Sequence, residues 1–363
     1  MKICLIGNTL SNLVLAKNLI SRKIKIDLFY EGSKKNNNTL RTISITQDNM
    51  DYFKNNIFDL KNISWPVKKI NIFNESDIKN KILKFGSDKT KLFSIVKYNE
   101  LLKNLNSLLQ KEKNFKKYKI KKNLSLLEFI NKKYNLIINS EKNNKFIKNY
   151  FSILVNKDYN STAYTVIIDH KKCENKTATQ IFTKFGPIAF LPISNYKTSI
   201  VFSILNKKKN FEEINIKELI NQYNCNYKIQ AFSKIEKFKL KYFFPRNYYF
   251  NNVLLFGDVL HQVHPLAGQG FNMTLRDIKF FLKLIDEYID LGLAIDKGIL
   301  MKFEDKMKHS NFIFSHGIDF IHEFFIFDNK FNNKVSNKVF KLFNKNNLLN
   351  KYLQDFANRG INI

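Results

Sequence analysis

The chain has 363 residues, 44% of them hydrophobic, with 35 phenylalanines and a formal net charge of +30. That apolar content supplies one large or two ordinary domains with a packed core, and it excludes a disordered or fibrous chain. The charge alone would suggest nucleic acid or an anionic membrane as partner, but it is spread along the chain in lysine mixed with asparagine, isoleucine and phenylalanine, as AT-rich coding also produces.

In chain order, Lys2–Ile6 (KICLI) reads as a strand, Gly7 as the turn after it, and Leu10, Leu13, Leu15, Ala16, Leu19 and Ile20 as the apolar face of a helix. Ile24–Tyr30 (IKIDLFY) gives a second strand ending near Glu31. Strand, turn, helix, strand and a terminal acid form the layout of a dinucleotide-binding βαβ unit. Gly7 stands at the first glycine of its fingerprint, and Thr9 and Asn12 stand at the second and third. The second glycine normally lets the helix N-terminus approach a pyrophosphate, so Thr9 predicts a weaker hold there and Asn12 a wider separation of helix and strand. Glu31, or Tyr30 one residue earlier, falls where the ribose-binding acid is expected.

Arg41 follows in LRTISI, before another strand. Trp65–Phe85 alternates loosely and is expected to join a substrate-side sheet. Leu92–Leu109 is a short apolar run followed by helical spacing at Leu101, Leu102, Leu105 and Leu108. Tyr134–Tyr150 holds a strand followed by Glu141 and Lys142. Val166–Ile168 and Ile200–Ile204 are strand-like and rich in β-branched residues, Gly186–Pro187 marks a turn between strands, and Phe238–Arg246 is an amphipathic strand.

Val253–Phe256 reads as a short buried strand ending at Gly257–Asp258, and Pro265, Gly268 and Gly270 form a turn that side chains would block. Beyond it Phe271, Leu275, Ile278, Leu282 and Ile285 recur at helical spacing. Strand, acid, glycine-rich loop and helix start aim free N–H groups and a positive dipole end at something electron-rich. His261 and His264 are three apart, unlike the i, i+4 pair of a helical zinc site, and no metal is expected. His316 and His322 are read as core or surface residues.

The pattern GD-x-x-H-x-x-x-P-x-x-G-Q-G-x-N-x-x-x-x-D over Gly257–Asp277 resembles the second flavin-binding motif of the FAD-dependent aromatic hydroxylases. His264 before Pro265, Ala267 after it and Leu275-Arg276-Asp277 in the helix are most similar to the ubiquinone-biosynthesis hydroxylases. Thr177-Ala178, Phe182 and Gly186–Pro192 match that family's substrate-sheet hairpins, and the resemblance extends from Lys2 to Gly360.

The resemblance implies an α/β fold: a Rossmann-like FAD-binding domain, an inserted substrate domain built on an antiparallel sheet, and a C-terminal helical tail. The corresponding boundaries are 1–64, 92–157 and 250–300 for the FAD-binding domain, 65–91 and 158–249 for the substrate domain, and 301–363 for the tail. It also implies that Asp258 binds the ribityl chain, that the loop of Pro265, Ala267, Gly268, Gln269, Gly270, Phe271 and Asn272 offers backbone N–H groups to the isoalloxazine, and that Arg41 contacts the flavin side. Gly7, Thr9, Asn12, Glu31 and Glu141 would lie at the adenosine and pyrophosphate end. Three departures accompany Thr9 and Asn12. Lys97-Tyr98-Asn99 replaces a Glu-Asn-Arg-like triplet whose Arg lies near phosphate, Glu141-Lys142 replaces Asp-Gly, and Lys148 replaces Arg.

The implied cofactors are FAD and, as electron donor, NAD(P)H. The implied activity is hydroxylation of a polyprenyl-phenol on the ubiquinone pathway. A non-catalytic scaffold in a quinone-biosynthesis assembly is the alternative that Thr9, Asn12, Asn99, Glu141 and Lys142 motivate; a flavin reductase or halogenase of related fold is a third. Val339–Ile363 is basic and amphipathic, which suits an anionic membrane surface, a partner helix or its own domain equally. Cys4, Cys173 and Cys225 are odd in number and widely separated, implying a reducing compartment without a disulfide framework. No apolar run approaches the roughly 20 residues of a spanning helix. The expected place is cytoplasmic or peripheral at the inner face of the membrane, with other quinone-biosynthesis enzymes as possible company and no nucleic acid.

Overall fold

The computed structural model describes residues 1–31, 39–75, 81–89, 91–120, 134–141, 145–151, 153–206, 216–224, 226–265 and 268–329. Expectations for Lys142, Cys225, Ala267, Val339–Ile363 and the side chains of Lys148 and His322 lie outside the described residues.

The chain opens with β1 (Lys2–Ile6), α1 (Leu10–Ser21) and β2 (Lys25–Glu31). Next come β3 (Thr42–Thr46), α2 (Gln47–Asn56), β4 (Ser64–Val67), β5 (Lys69–Asn74), β6 (Leu83–Gly86) and β7 (Phe93–Lys97). They are followed by α3 (Tyr98–Leu109), β8 (Phe115–Ile120), β9 (Leu136–Asn139) and α4 (Lys145–Tyr150). A block of strands then runs β10 (Ile153–His170), β11 (Thr177–Thr183), β12 (Gly186–Pro192) and β13 (Lys197–Leu205), with α5 (Ile216–Tyr223) before β14 (Ile229–Phe232) and β15 (Glu236–Pro245). Short strands β16 (Tyr249–Phe250) and β17 (Val253–Leu255) lead into α6 (Gly270–Asp290) and α7 (Lys297–Asn329).

The first sheet has the order β16-β17-β9-β1-β2-β8 and is parallel at every pair except β16 with β17. Its inner strands are continuous apolar runs because helices cover both faces, the usual condition of a parallel sheet. Ile3 to Leu5, Leu136 to Ile138 and Val253 to Leu255 are fully buried. α1 is buried around most of its circumference, against this sheet and against α3 and α6. Its inward polar groups must therefore be satisfied inside the fold. Asn18 does so by donating to the Val14 carbonyl and accepting from the Tyr52 phenol.

The second sheet runs β14-β10-β13-β12-β11-β5-β6, with β15 also paired to β10. It is antiparallel apart from the parallel pair β5–β11. α5 closes one face by burying Ile216, Leu219, Ile220 and Tyr223 in a separate apolar core. A third, three-stranded sheet has the order β3-β7-β4. This corrects the expectation for Trp65–Phe85: β5 and β6 join the large sheet, whereas β4 pairs with β7. The reason is local. Lys68 separates β4 from β5, and the Trp65 indole donates to the Asn175 carbonyl, tying the small sheet to the large one.

Candidate functional site

Since β17, β9, β1 and β2 are parallel, their C-terminal ends share one edge, and α1 and α6 start there. Gly7 has φ +103°, a backbone state that L side chains resist. A Cβ on Gly7 would lie 2.7 Å from Glu141 Oε2 and 2.8 Å from Ser140 Oγ, so the Glu141 carboxylate rests against this turn. Thr9 caps α1: its hydroxyl accepts from the Asn12 N–H at 3.4 Å and lies 2.7 Å from Ser140 Oγ. Asn12 ties the junction through its side chain. It is fully buried, and its Nδ2 donates to the carbonyls of Ile6 (2.8 Å) and Gly7 (2.9 Å). Burial, and after it the charge of Glu31, hold the Glu141 carboxyl above the usual carboxylate range. Gly7, Thr9, Asn12, Glu31 and Glu141 therefore form one cluster.

A second cluster surrounds Arg41. Its guanidinium carbon lies 5.3 Å from the centre of the Tyr98 ring, and Nη1 is 3.9 Å from Asp258 Oδ2. Asp258 sits in the short helical turn Gly257–Val259 that follows β17. The segment before Arg41 is latched from the large sheet: Glu236 Oε2 accepts from Thr39 Oγ1 at 2.9 Å and from the Leu40 N–H at 3.1 Å. Asn99 donates to the Thr39 carbonyl at 2.7 Å, and Lys97 pairs with Glu100 at 2.8 Å. Tyr98 was not singled out by sequence. Burial raises its phenol first of all; Arg41 opposes this, while Asp258 and Glu141 add to it. It lies between the two clusters. The available signal was an aromatic residue at the first position of α3, directly after a buried strand.

The third cluster is the loop before α6. Gly268 has φ +62°, its carbonyl accepts from the Ser44 hydroxyl at 3.0 Å, and its N–H donates to the Pro265 carbonyl at 3.1 Å. Asn272 is used up inside the fold. Its Oδ1 accepts from the Thr46 N–H and Asn49 Nδ2, and its Nδ2 donates to the Ser44 carbonyl. Phe271 packs its ring toward Phe53. Gln269 precedes α6 without a side-chain capping bond, so the first N–H groups of the helix have no helical acceptor. A Cβ on Gly270 would meet no atom within 4 Å. His261, near this loop, is bonded to Asp277, and among the described residues no group of His, Cys, Asp and Glu could hold a metal.

The isoalloxazine half of FAD fits this edge, because the start of α6, which has no side-chain cap, offers N–H donors to a flat, electron-rich ring. The diphosphate half does not fit the arrangement as it stands. A dinucleotide diphosphate rests on the first βα turn at the helix N-terminus, and here that turn carries the Thr9 cap and the Glu141 carboxylate.

Comparison with known proteins gives the chain's relatives in sequence and in fold. The family described as FAD binding domain matches residues 155–289. The mitochondrial ubiquinone biosynthesis monooxygenase COQ6 of Drosophila melanogaster is 24% identical over 228 residues, 52% of this chain and 48% of that protein. The 3-demethoxyubiquinol 3-hydroxylase of Escherichia coli K12 is 26% identical over 163 residues, 41% of this chain and 40% of that protein. The matched part thus spans about half the length or less of these curated relatives. Among solved structures, p-nitrophenol 4-monooxygenase PnpA from Pseudomonas putida superposes with a TM-score of 0.82 at 9% identity, covering 99% of this chain and 98% of that one. PqsL from Pseudomonas aeruginosa, described as a probable FAD-dependent monooxygenase, gives 0.70 at 12% identity over 90% and 96%. The fold is that of the flavoprotein aromatic monooxygenases, and the FAD binding domain family matches its residues 155–289. In sequence the chain is similar to the ubiquinone hydroxylases.

Proposed function

We propose that this chain is an FAD-dependent monooxygenase that hydroxylates the ring of a polyprenyl-phenol in ubiquinone biosynthesis, with NAD(P)H as electron donor. One observation carries the reading: the start of α6 has no side-chain cap and follows a turn that requires glycine at Gly268. The names of the relatives support the substrate class. When bound, the flavin supplies the oxygen activation; the chain supplies position, dryness and charge stabilisation. The N–H groups of the Gln269–Asn272 segment would stabilise negative charge at the pyrimidine end of a bound ring, as preorganised donors do. Asp258 would hold the ribityl chain and Arg41 the flavin side, with Gly7 at the turn nearest the adenosine arm. The Asn272 side chain acts indirectly, by fixing the loop to β3 and α2. The large sheet forms one wall of the substrate pocket, and a polyprenyl substrate places the protein at a membrane surface.

The test is direct. The protein is purified without added flavin, its visible spectrum recorded, FAD titrated, and ring hydroxylation assayed in a quinone-deficient host. Bound-flavin absorbance and a hydroxylated ring are the expected results. Protein that stays colourless at high FAD concentration overturns the reading. That outcome favours the second one, a non-catalytic scaffold, which the Glu141 carboxylate against Gly7 supports.

A further inference from the structure

Glu141 Oε2 lies against Gly7, at the turn between β1 and α1 where a dinucleotide diphosphate would run. We propose that the Glu141 carboxylate is a built-in competitor of that diphosphate, so that the chain holds flavin chiefly by its isoalloxazine and ribityl end and gains little from the adenosine diphosphate arm. This rests on the flavin-site reading above.

The competition follows from charge and place. The Glu141 carboxylate rests against the Gly7 turn, on the path that the diphosphate would take to the start of α1. The hydroxyls of Thr9 and Ser140 that flank the turn are bonded to each other at 2.7 Å. Glu31 ends the neighbouring strand β2 and sets a second carboxylate close enough to act on the first. An incoming diphosphate therefore meets two negative groups and no guanidinium from the α3 triplet, where Asn99 is engaged with Thr39. A residue one methylene shorter, followed by glycine, would not reach the turn in the same way; the Glu141-Lys142 pair is the change that brings the carboxylate there. The ring end is built independently, since the Gly268 loop is held by Ser44 and Asn272, with no hydrogen bond to the Glu141 cluster among the described residues.

The experiment titrates the flavin-free protein and its Glu141→Gln and Glu141→Asp variants with FAD and with riboflavin, following flavin fluorescence. Glu141→Gln is expected to tighten FAD about tenfold, equivalent to about 1.4 kcal/mol. Glu141→Asp should fall between, and all three proteins should bind riboflavin alike. A Glu141→Gln protein that binds FAD no better than wild type, or more weakly, overturns the inference and leaves the flavin site standing. Equal tightening of riboflavin also overturns it, because the carboxylate would then act on the ring end. If none of the three binds either flavin, the inference and the flavin reading beneath it fall together.

Discussion

His261 Nε2 lies 2.6 Å from Asp277 Oδ2, and both side chains are buried. They are the histidine and the final aspartate of the Gly257–Asp277 pattern, sixteen residues apart by the arithmetic 277 − 261. The other Asp277 oxygen accepts from Asn311 Nδ2 at 3.0 Å, and Asn311 Oδ1 accepts from Arg276 Nη2 at 2.7 Å. The segment carrying Asp258 is thereby tied to α6 and α7 by one chain of hydrogen bonds. Burial, with Asp277 adding to it, pushes the nearby Tyr248 phenol well up.

Removing one partner of such a buried pair leaves the other desolvated and uncompensated. Asp277→Ala strips the acceptor from both His261 and Asn311, and the expected loss is about 3–5 kcal/mol. Asp277→Asn, which keeps an acceptor of the same shape, should lose less. Urea denaturation followed by circular dichroism measures both. A loss below about 1 kcal/mol for Asp277→Ala, the scale of an exposed ion pair, would show the network to be incidental.

Gly268 is the position where backbone and packing agree most strongly. Its φ of +62° is strained for a side chain, and a Cβ there would overlap the Ser44 hydroxyl that holds the loop. Gly268→Ala should cost about 1–3 kcal/mol from strain alone, and Gly268→Leu should abolish flavin retention. Gly270→Ala has no such clash and is the control for strain alone, read on melting temperature. Melting temperature and flavin absorbance of the purified proteins decide it: a Gly268→Leu protein as yellow as wild type sinks the assignment.

Much of this was legible in the chain because it is written in local periodicity. The runs KICLI and IKIDLFY became β1 and β2, the leucine spacing after Lys97 became α3, and the stretch from Phe271 to Ile285 became the inner face of α6. What was not legible depends on partners remote in sequence. β8 (FKKYKI) is lysine-rich because it lies at a sheet edge, so it has no apolar run to read. The inward use of Asn272 and Asn12 could not be seen, since an asparagine at a motif position looks the same whether it meets ligand or carbonyls. Tyr98 was named only as part of a departing triplet, because its neighbours Arg41 and Asp258 come from two other segments.

Glu236 is the residue through which the large sheet governs the flavin side. One of its oxygens accepts from both Thr39 and Leu40, immediately before Arg41. Hydrogen bonds to a charged group contribute about 1.5–3 kcal/mol when partly buried, so Glu236→Ala should destabilise by roughly that amount. It should also weaken FAD binding, by releasing Arg41 from Tyr98 and Asp258. Glu236→Gln keeps an acceptor and should retain most of both. Denaturation and flavin titration on the same preparations separate the two effects; unchanged FAD affinity in Glu236→Ala would show that Arg41 does not need the latch.

Glu141 supplies a stability signature that is independent of any ligand. Burial, and after it Glu31, raise its carboxyl above the usual range, so the folded chain takes up this proton at a higher pH than the unfolded chain does. Stability falls with rising pH wherever the folded state binds more protons. Between the ordinary carboxylate range and the raised folded value, this group therefore destabilises progressively as pH rises, and above that window the penalty is constant. Glutamine at 141 carries no charge and escapes it. Glu141→Gln should be the more stable protein at neutral pH, and the difference should shrink to nothing as pH falls through the window, where wild-type Glu141 becomes neutral as well. Melting curves of the two proteins across that range test it. A variant that is less stable than wild type at neutral pH would mean that the carboxylate supports the Gly7 turn more than its burial and Glu31 oppose it.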